Sequence, residues 1–191
     1  MRFNTHYNLK DKHAFLSASQ WHWVNYDEAK LAQKWATHEA AAMGTRIHAL
    51  AAELIDLGVR LPKTKKTLNM YVNDGIGFKM TTEQILYYSE NCFGTADTIA
   101  FRHDPKTNRD VLRIHDLKTG TIPAHIEQLM IYAALFCLEY GYDPKNIDII
   151  LRIYQNDDVL QHEAEASEIG LIMNKIVTSD NYVNQMKGET V

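Results

Sequence analysis

Apolar positions along this chain follow two rhythms. Up to about residue 77 they recur at helical spacing; from Thr81 they come in short runs broken by turn formers. Asp27 is placed to cap a helix over 28–42, a stretch rich in alanine and other good helix formers. Gly44-Thr45 interrupts the pattern, and Thr45 then caps a second helix to Leu57, which Gly58 terminates. Ile47, Leu50, Ala51, Leu54 and Leu57 form the buried stripe of that second helix. Residues 67–77 predict a short helix ending at Gly75 and Gly77. Strands are predicted over 82–88, 93–102 and 111–117, the last two joined by the turn-forming string 104–109. Thr121 and Pro123 open a helix to Tyr140, with Ile126, Met130, Ala133 and Cys137 as its core face and Gly141 and Pro144 past its end. A strand over 148–154 and a closing helix over 165–187 complete the order. Helices, a three-strand meander, a helix, a strand and a helix predict an α/β fold with a mixed central β-sheet flanked by helices.

The length of 191 residues suits one domain with a sizeable core. Within it, 1–79 is expected to be mainly helical, 80–156 to hold the sheet, and 157–191 to be a C-terminal helix. Hydrophobic residues at 46% and charged residues at 23% are ordinary for a soluble globular protein. The formal net charge of −4 argues against a protein that coats nucleic acid over a broad basic surface. It leaves room for an enzyme whose basic residues sit in one groove. Lys63, Lys65 and Lys66 lie in the stretch 59–66, which is either a solvated loop or a phosphate-contacting edge. Cys92 and Cys137 have no metal-ligand spacing, and two thiols cannot hold an iron–sulfur cluster or a four-cysteine zinc site. A reducing compartment explains them more simply than a disulfide. The first residues, MRFNTHYNLK, lack the apolar stretch of a signal peptide, and no window is apolar enough to span a bilayer. A soluble, cytoplasmic protein without a membrane partner is the expectation.

Candidate chemistry concentrates in three strings: Gly94-Thr95-Ala96-Asp97, Asp116-Leu117-Lys118, and Gln128 with Tyr132. Folding the chain about the loop 104–109 lays Asp97 opposite Asp116. Directly opposite residues share a face, with Cβ atoms about 5 Å apart. Lys118, two residues on, would share that face too. Two carboxylates and the Leu117 carbonyl make an open half-shell for a hard divalent cation such as Mg²⁺, which keeps positions for water and phosphate. Lys118 beside the metal could hold or deprotonate the attacking water. An Asp-x-Lys alone is expected about once by chance in a chain of this size. Asp97 in register, with Gly94 before it and Gly120 after Lys118, changes those odds, because glycines permit close approach of a ligand to the backbone. His48 lies beside the helical stripe with Ala51 and Ala52 one turn on; it reads either as a boundary histidine or as a ligand. Glu53, about 140° further round the helix, is set aside as a co-ligand. Gln128 and Tyr132, one turn apart, are either an ordinary boundary edge or contacts to a substrate strand or to the lysine's surroundings.

Taken together, these strings resemble the RecB-type nucleases of the PD-(D/E)xK superfamily, in particular phage and prophage members. The matching pieces are Phe93-Gly94-Thr95-Ala96-Asp97, then Asp116-Leu117-Lys118-Thr119-Gly120, then Gln128-Leu129-Met130-Ile131-Tyr132-Ala133. Gly44-Thr45 with His48, and Leu16-Ser17-Ala18-Ser19 followed by Trp21, also fit, so the likeness covers roughly residues 13–156. The resemblance implies a restriction-endonuclease-like core. It implies that His48, Asp97, Asp116 and the Leu117 carbonyl bind Mg²⁺ or Mn²⁺ and that Lys118 is catalytic. Gln128 and Tyr132 match the family's Q-x-x-x-Y helix, and Glu83 stands where relatives place a glutamate on the first strand. An iron–sulfur cluster, present in some relatives, is not expected. The implied activity is metal-dependent DNA cleavage, as an exonuclease in phage recombination or DNA processing within the host cytoplasm. A separate recombinase, annealing protein or helicase would be its partner. A structure-selective endonuclease and a non-catalytic DNA-binding module on the same fold are the alternatives.

Overall fold

A computed structural model describes residues 4–10 and 12–188; the last three residues of the predicted C-terminal segment lie outside them. The chain groups into two compact units, Met1–Thr45 and Arg46–Val191. In the first, short 3₁₀ turns at Tyr7–Leu9 and Ala18–Asn25 precede the start of helix α1 (Glu28–Asp56). Asp27 caps α1 as predicted, its carboxylate accepting from the Lys30 amide at 2.8 Å.

The predicted break at Gly44-Thr45 does not occur, because α1 runs through it. An interior glycine costs a helix only about 1 kcal/mol, and the Ala-rich flanks outweigh it. Thr45 does not cap; its hydroxyl donates to the Ala41 carbonyl one turn back, at 3.2 Å. Gly58, with φ +68°, closes the helix, and the Val59 amide reaches back to the Leu54 carbonyl at 2.9 Å. The predicted stripe is corrected at two positions. Leu50 and Leu57 are exposed, while Ala51 and Ile55 are buried.

Helix α2 (Thr67–Gly77) follows, then β1 (Thr81–Ser89), β2 (Cys92–Asp104) and β3 (Arg109–Leu117), then α3 (Glu127–Tyr140), β4 (Ile147–Gln155), β5 (Asp158–Glu163) and α4 (Ala166–Met186). The five strands form one mixed sheet in the order β1-β2-β3-β4-β5, antiparallel except for the parallel β3–β4 pair. A parallel pair needs a long crossover, and α3 supplies it. The fold is α/β, a five-stranded mixed sheet flanked by helices.

Two further boundaries differ from expectation. The segment from Thr121 to Ile126 is loop, and α3 begins at Glu127. Gln155 holds that loop open, its amide donating to the carbonyls of Gly120 at 2.5 Å and Ile122 at 2.8 Å while its oxygen accepts from the Ala124 amide at 3.1 Å. Strand β5 lies where only the C-terminal helix was expected. It is joined to β4 by Asn156 and Asp157, both at positive φ, the pattern of a two-residue hairpin turn.

Two apolar clusters hold the sheet. Leu86, Ala96, Leu112, Ile114, Leu151 and Ile153 pack with Leu129, Ala133 and Ile169 from α3 and α4. Ala51 and Ile55 of α1 and Tyr71 and Val72 of α2 pack with Leu117 and Tyr154. Burying each such Leu, Ile or Val contributes roughly 1.5–3 kcal/mol. The second cluster matters for the site, because it anchors α1 and α2 against the ends of β3 and β4.

Candidate active site

The hairpin register agrees with the prediction as far as the ladder goes. Asp104 pairs with Arg109 and Thr98 with His115. One step further would pair Asp97 with Asp116, but there the side chain replaces the backbone. The Leu117 amide donates to Asp97 Oδ2 at 3.0 Å. The same Asp97 oxygen lies 3.2 Å from His48 Nδ1 on α1. Asp97 thus terminates the β2–β3 ladder and ties it to a helix.

Strand alternation also fails here. Ala96 and Ile99, three residues apart, lie in one core cluster, whereas a strict pleat would put them on opposite faces. On the neighbouring strand, Glu83 occupies the left-handed region at φ +48°, between the pairs Thr82–Thr98 and Gln84–Ala96. A glutamate at positive φ inside a strand is strained by about 1–3 kcal/mol, and such strain clusters at functional sites. The carboxyl of Glu83 titrates above its ordinary value, because of partial burial and then the nearby Asp97 charge; His48 opposes the shift.

Asp116 is 2% exposed. Lys118 Nζ lies 3.1 Å from each of its oxygens, but only the approach to Oδ1 has hydrogen-bond geometry. Asp116 Oδ2 is buried with no hydrogen-bond partner. Burial, then the Asp97 charge, pushes the Asp116 carboxyl up, with Lys118 and His48 pulling the other way. The His48 imidazole is pushed up by its hydrogen bond to Asp97, which outweighs burial; the charges of Asp97, Asp116 and Glu83 add to the effect. His48 thus feels the charges of Asp97, Asp116 and Glu83, and Glu83 and Asp116 each feel those of Asp97 and His48.

From Lys118 a polar relay runs onto α3. Lys118 Nζ donates to Gln128 Oε1 at 3.0 Å, and Gln128 Nε2 donates to the Tyr132 hydroxyl at 3.2 Å. Of the two options for Gln128 and Tyr132, they form the lysine's surroundings. Gly94 has a different role from the one expected. A Cβ there would stand 2.9 Å from Tyr132 Cε1, so the missing side chain makes room for the tyrosine ring rather than for a ligand. A Cβ at Gly120 would meet open space.

A second network, not foreseen from sequence, backs the Asp-x-Lys strand. His115 is buried, and its Nδ1 lies 3.3 Å from the Tyr154 hydroxyl, which donates to Asp74 Oδ2 at 2.5 Å. Arg152 binds the same Asp74 oxygen at 2.9 Å. Phe78 meets the His115 ring edge-on, with the guanidiniums of Arg113 and Arg152 over its own face. Burial and the two arginines hold His115 neutral, its pKa pushed down to about 3. The Tyr154 backbone carbonyl accepts from the Lys118 amide at 2.9 Å, so the residue whose side chain joins this network also holds the backbone where the lysine leaves the sheet. Alternating Arg113, His115 and Arg152 on apolar strands was the available signal.

Among the described residues, no three His, Cys, Asp or Glu side chains stand together as a ready-made cation cage. Cavities lie elsewhere: one of about 470 Å³ beside Arg109 and Lys145, one of about 420 Å³ beside Phe15 and Trp23, and one of about 410 Å³ between α3 and α4. The two aspartates are themselves largely buried, and the exposed Glu83 with the partly exposed His48 and Lys118 are the site's contact with solvent. No helix among the described residues is long and apolar enough to cross a membrane. No family model, curated protein or solved structure matches the chain.

Proposed function

We propose that the chain is a divalent-metal-dependent DNA nuclease built on a restriction-endonuclease-like core. The observation that carries this is Asp116: a buried carboxylate held beside Asp97, with Lys118 Nζ 3.1 Å from both of its oxygens and hydrogen-bonded to only one. Removing a partner from a buried charge is costly, so proteins keep such a group where something binds it. The donor set fits a hard cation. Asp97, Asp116, His48 and the Leu117 carbonyl would hold Mg²⁺ or Mn²⁺, and the lack of a full side-chain cage suits an ion that keeps waters and takes substrate phosphate. When bound, that ion neutralises charge on the scissile phosphate and lowers the pKa of water.

The chain's own residues do the rest. Lys118 Nζ spends two of its three N–H groups on Asp116 and Gln128, leaving one for the attacking water or a phosphate oxygen. Tyr132 fixes Gln128, and Gln128 fixes the lysine, so the relay orients a point charge that would otherwise swing on a flexible stem. Glu83, strained and next to Asp97, is placed to accept a proton or a water-mediated contact at the same edge. Glu83, Lys118 and His48 reach solvent at one edge of the site, which is where a polymer would approach. A non-catalytic binding module gains nothing from gathering carboxylates near phosphate. We place the activity as an exonuclease in recombination or DNA processing, in a phage-infected or host cytoplasm. It would act beside a separate annealing protein or helicase.

The test uses end-labelled linear and circular DNA, single- and double-stranded, with Mg²⁺, Mn²⁺ or EDTA. Metal-dependent cleavage by the wild type, abolished in Lys118→Ala with the melting temperature retained, is the expected result. Full activity of Lys118→Ala overturns the mechanism. Absence of divalent-ion binding by calorimetry at millimolar concentration overturns the metal site.

A further inference from the structure

The β1–β2 hairpin carries a strip of side chains that is exposed except at its last member, Asp97, which His48 of α1 partly covers. On β1 the residues Glu83, Ile85 and Tyr87 alternate with the inward Gln84, Leu86 and Tyr88. On β2 the matching residues are Phe93, Thr95 and Asp97. The ladder pairs Tyr87 with Phe93 and Ile85 with Thr95, and one step further lie Glu83 and Asp97. Ile85 is 57% exposed, Tyr87 42% and Phe93 60%. The two rings lie within 29° of parallel, with centroids 6.4 Å apart. Helix α3 covers the other face of this hairpin, and α2 packs over β3 and β4 instead. The aromatic pair therefore stands in solvent at the far end of a strip whose near end is the acidic site.

We propose that Tyr87 and Phe93 form a stacking platform for the bases of an unpaired nucleic-acid strand whose backbone continues to Asp97. This rests on the nuclease reading for the direction in which the strand runs. Three points favour that occupant. Phe93 and Asp97 are four residues apart on one strand, or about 13 Å. At about 3.4 Å per stacked nucleotide this spans about four nucleotides, and fewer if the strand is stretched. The strip itself holds the carboxylates of Glu83 and Asp97 and no Lys or Arg, so charge attraction along it cannot supply the affinity for a polyanion. Stacking on an aromatic face can, and it is indifferent to both charge and sequence. A base can use that face only when it is out of a duplex, which makes an unpaired end or single strand the preferred substrate.

The experiment measures binding and cleavage separately. Fluorescence anisotropy in EDTA, with a labelled single-stranded oligodeoxynucleotide and the blunt duplex of the same sequence, gives affinity without hydrolysis. Phe93→Ala and Tyr87→Ala are each expected to weaken single-strand binding about tenfold, within the range for losing one stacked base, and to leave duplex binding unchanged. Both positions are exposed, so the melting temperature should hold. Phe93→Trp is expected to retain binding, with its emission quenched as the oligonucleotide is added. Wild-type single-strand affinity in the double alanine variant overturns the platform, as does failure of the wild type to bind the single strand. Self-association of the wild type that the double variant loses, with nucleotide binding unaltered, also overturns it, because the strip is then a protein contact. Cleavage that survives the double variant with unaltered affinity leaves the nuclease standing without the platform. Single-strand binding that needs Phe93, in a protein that never cleaves, leaves the platform without the nuclease.

Discussion

Gly94→Ala tests whether the polar relay is held by shape. Gly94 faces α3 from β2, with an ordinary backbone conformation, so alanine adds only a methyl group. That methyl would sit 2.9 Å from Tyr132 Cε1 and 3.8 Å from Cδ1 and Cζ. Carbon atoms prefer about 3.5–4.0 Å, so the ring must retreat by about 0.5–1 Å. Crowding of this kind costs about 1–3 kcal/mol. At about 2–4 °C per kcal/mol for a chain of this size, the melting temperature should fall by about 2–12 °C. The retreat also carries the Tyr132 hydroxyl away from Gln128, where 3.2 Å leaves no slack. Lys118 loses its brace, and cleavage should drop about tenfold, which is about 1.4 kcal/mol of barrier.

The decisive assay is a double-mutant cycle with Tyr132→Leu, followed by thermal denaturation. Leucine removes the ring edge that the methyl would meet. In that background Gly94→Ala should be neutral or slightly stabilising, because alanine restricts the unfolded chain. The coupling between the two sites should then be about 1–3 kcal/mol. Additivity within about 0.5 kcal/mol would refute the contact, because independent sites add to that accuracy.

The remaining predictions concern the acidic cluster. His48 titrates above its ordinary 6.5, so its contribution to stability is fully present below pH 6.5 and lost as pH rises through the raised value. Asp116 is raised above its ordinary 3.8, which has the same sign: stability falls as pH rises from 3.8 through its raised value. Denaturant midpoints in EDTA should therefore decline as pH rises, with the raised Glu83 carboxyl adding to the fall, and His48→Gln should remove the loss that sets in above pH 6.5; an unchanged decline there refutes the His48–Asp97 pairing. Glu83→Gly should be more stable than Glu83→Ala by about 1 kcal/mol, because glycine accepts positive φ; equal melting temperatures would mean that no left-handed strain is stored there. Asp97→Asn keeps an oxygen for the Leu117 amide, whereas Asp97→Ala strands that amide at a cost of about 1–3 kcal/mol. Both should abolish cleavage, and equal stability of the two would refute the ladder-ending role of Asp97.

Local patterns in this chain were legible where neighbouring residues decide the outcome. The turn at 104–109 set the hairpin register, and Gly58 and Gly141, both at positive φ, ended their helices as read. Errors arose where tertiary contacts overrule local preference. Gly44 reads as a breaker, yet a cost of about 1 kcal/mol is small against the helix formers on both sides. Pro123 reads as a helix start, but Gln155, over thirty residues away, takes the backbone groups that a first turn would use. Strand β5 has a turn signal in Asn156-Asp157, but its own sequence, Asp158–Glu163, is mostly polar and lacks the apolar run that marks β4. At the candidate site, Asp97, Asp116 and Lys118 were visible as types and spacing. The left-handed Glu83 and the loss of alternation between Ala96 and Ile99 were not. A period-two reading has no term for a strand that changes face midway.

That change of face explains why the acidic groups can meet at all. β3 remains bound to β4 up to Leu117–Tyr154, and the Lys118 amide extends the attachment by one more bond. On its other side, β3 leaves β2 after His115, and the Asp97 carboxylate takes the Leu117 amide that the ladder gives up. The two strands therefore part without leaving that donor unsatisfied, which is what permits the opening. Into it come His48 from α1 and Lys118, braced by Gln128 of α3. A regular sheet would present alternate residues to opposite faces and keep helices on each side out of reach of one another. The candidate site lies where regularity stops, and the residue that stops it, Asp97, is itself one of the groups proposed to bind the metal.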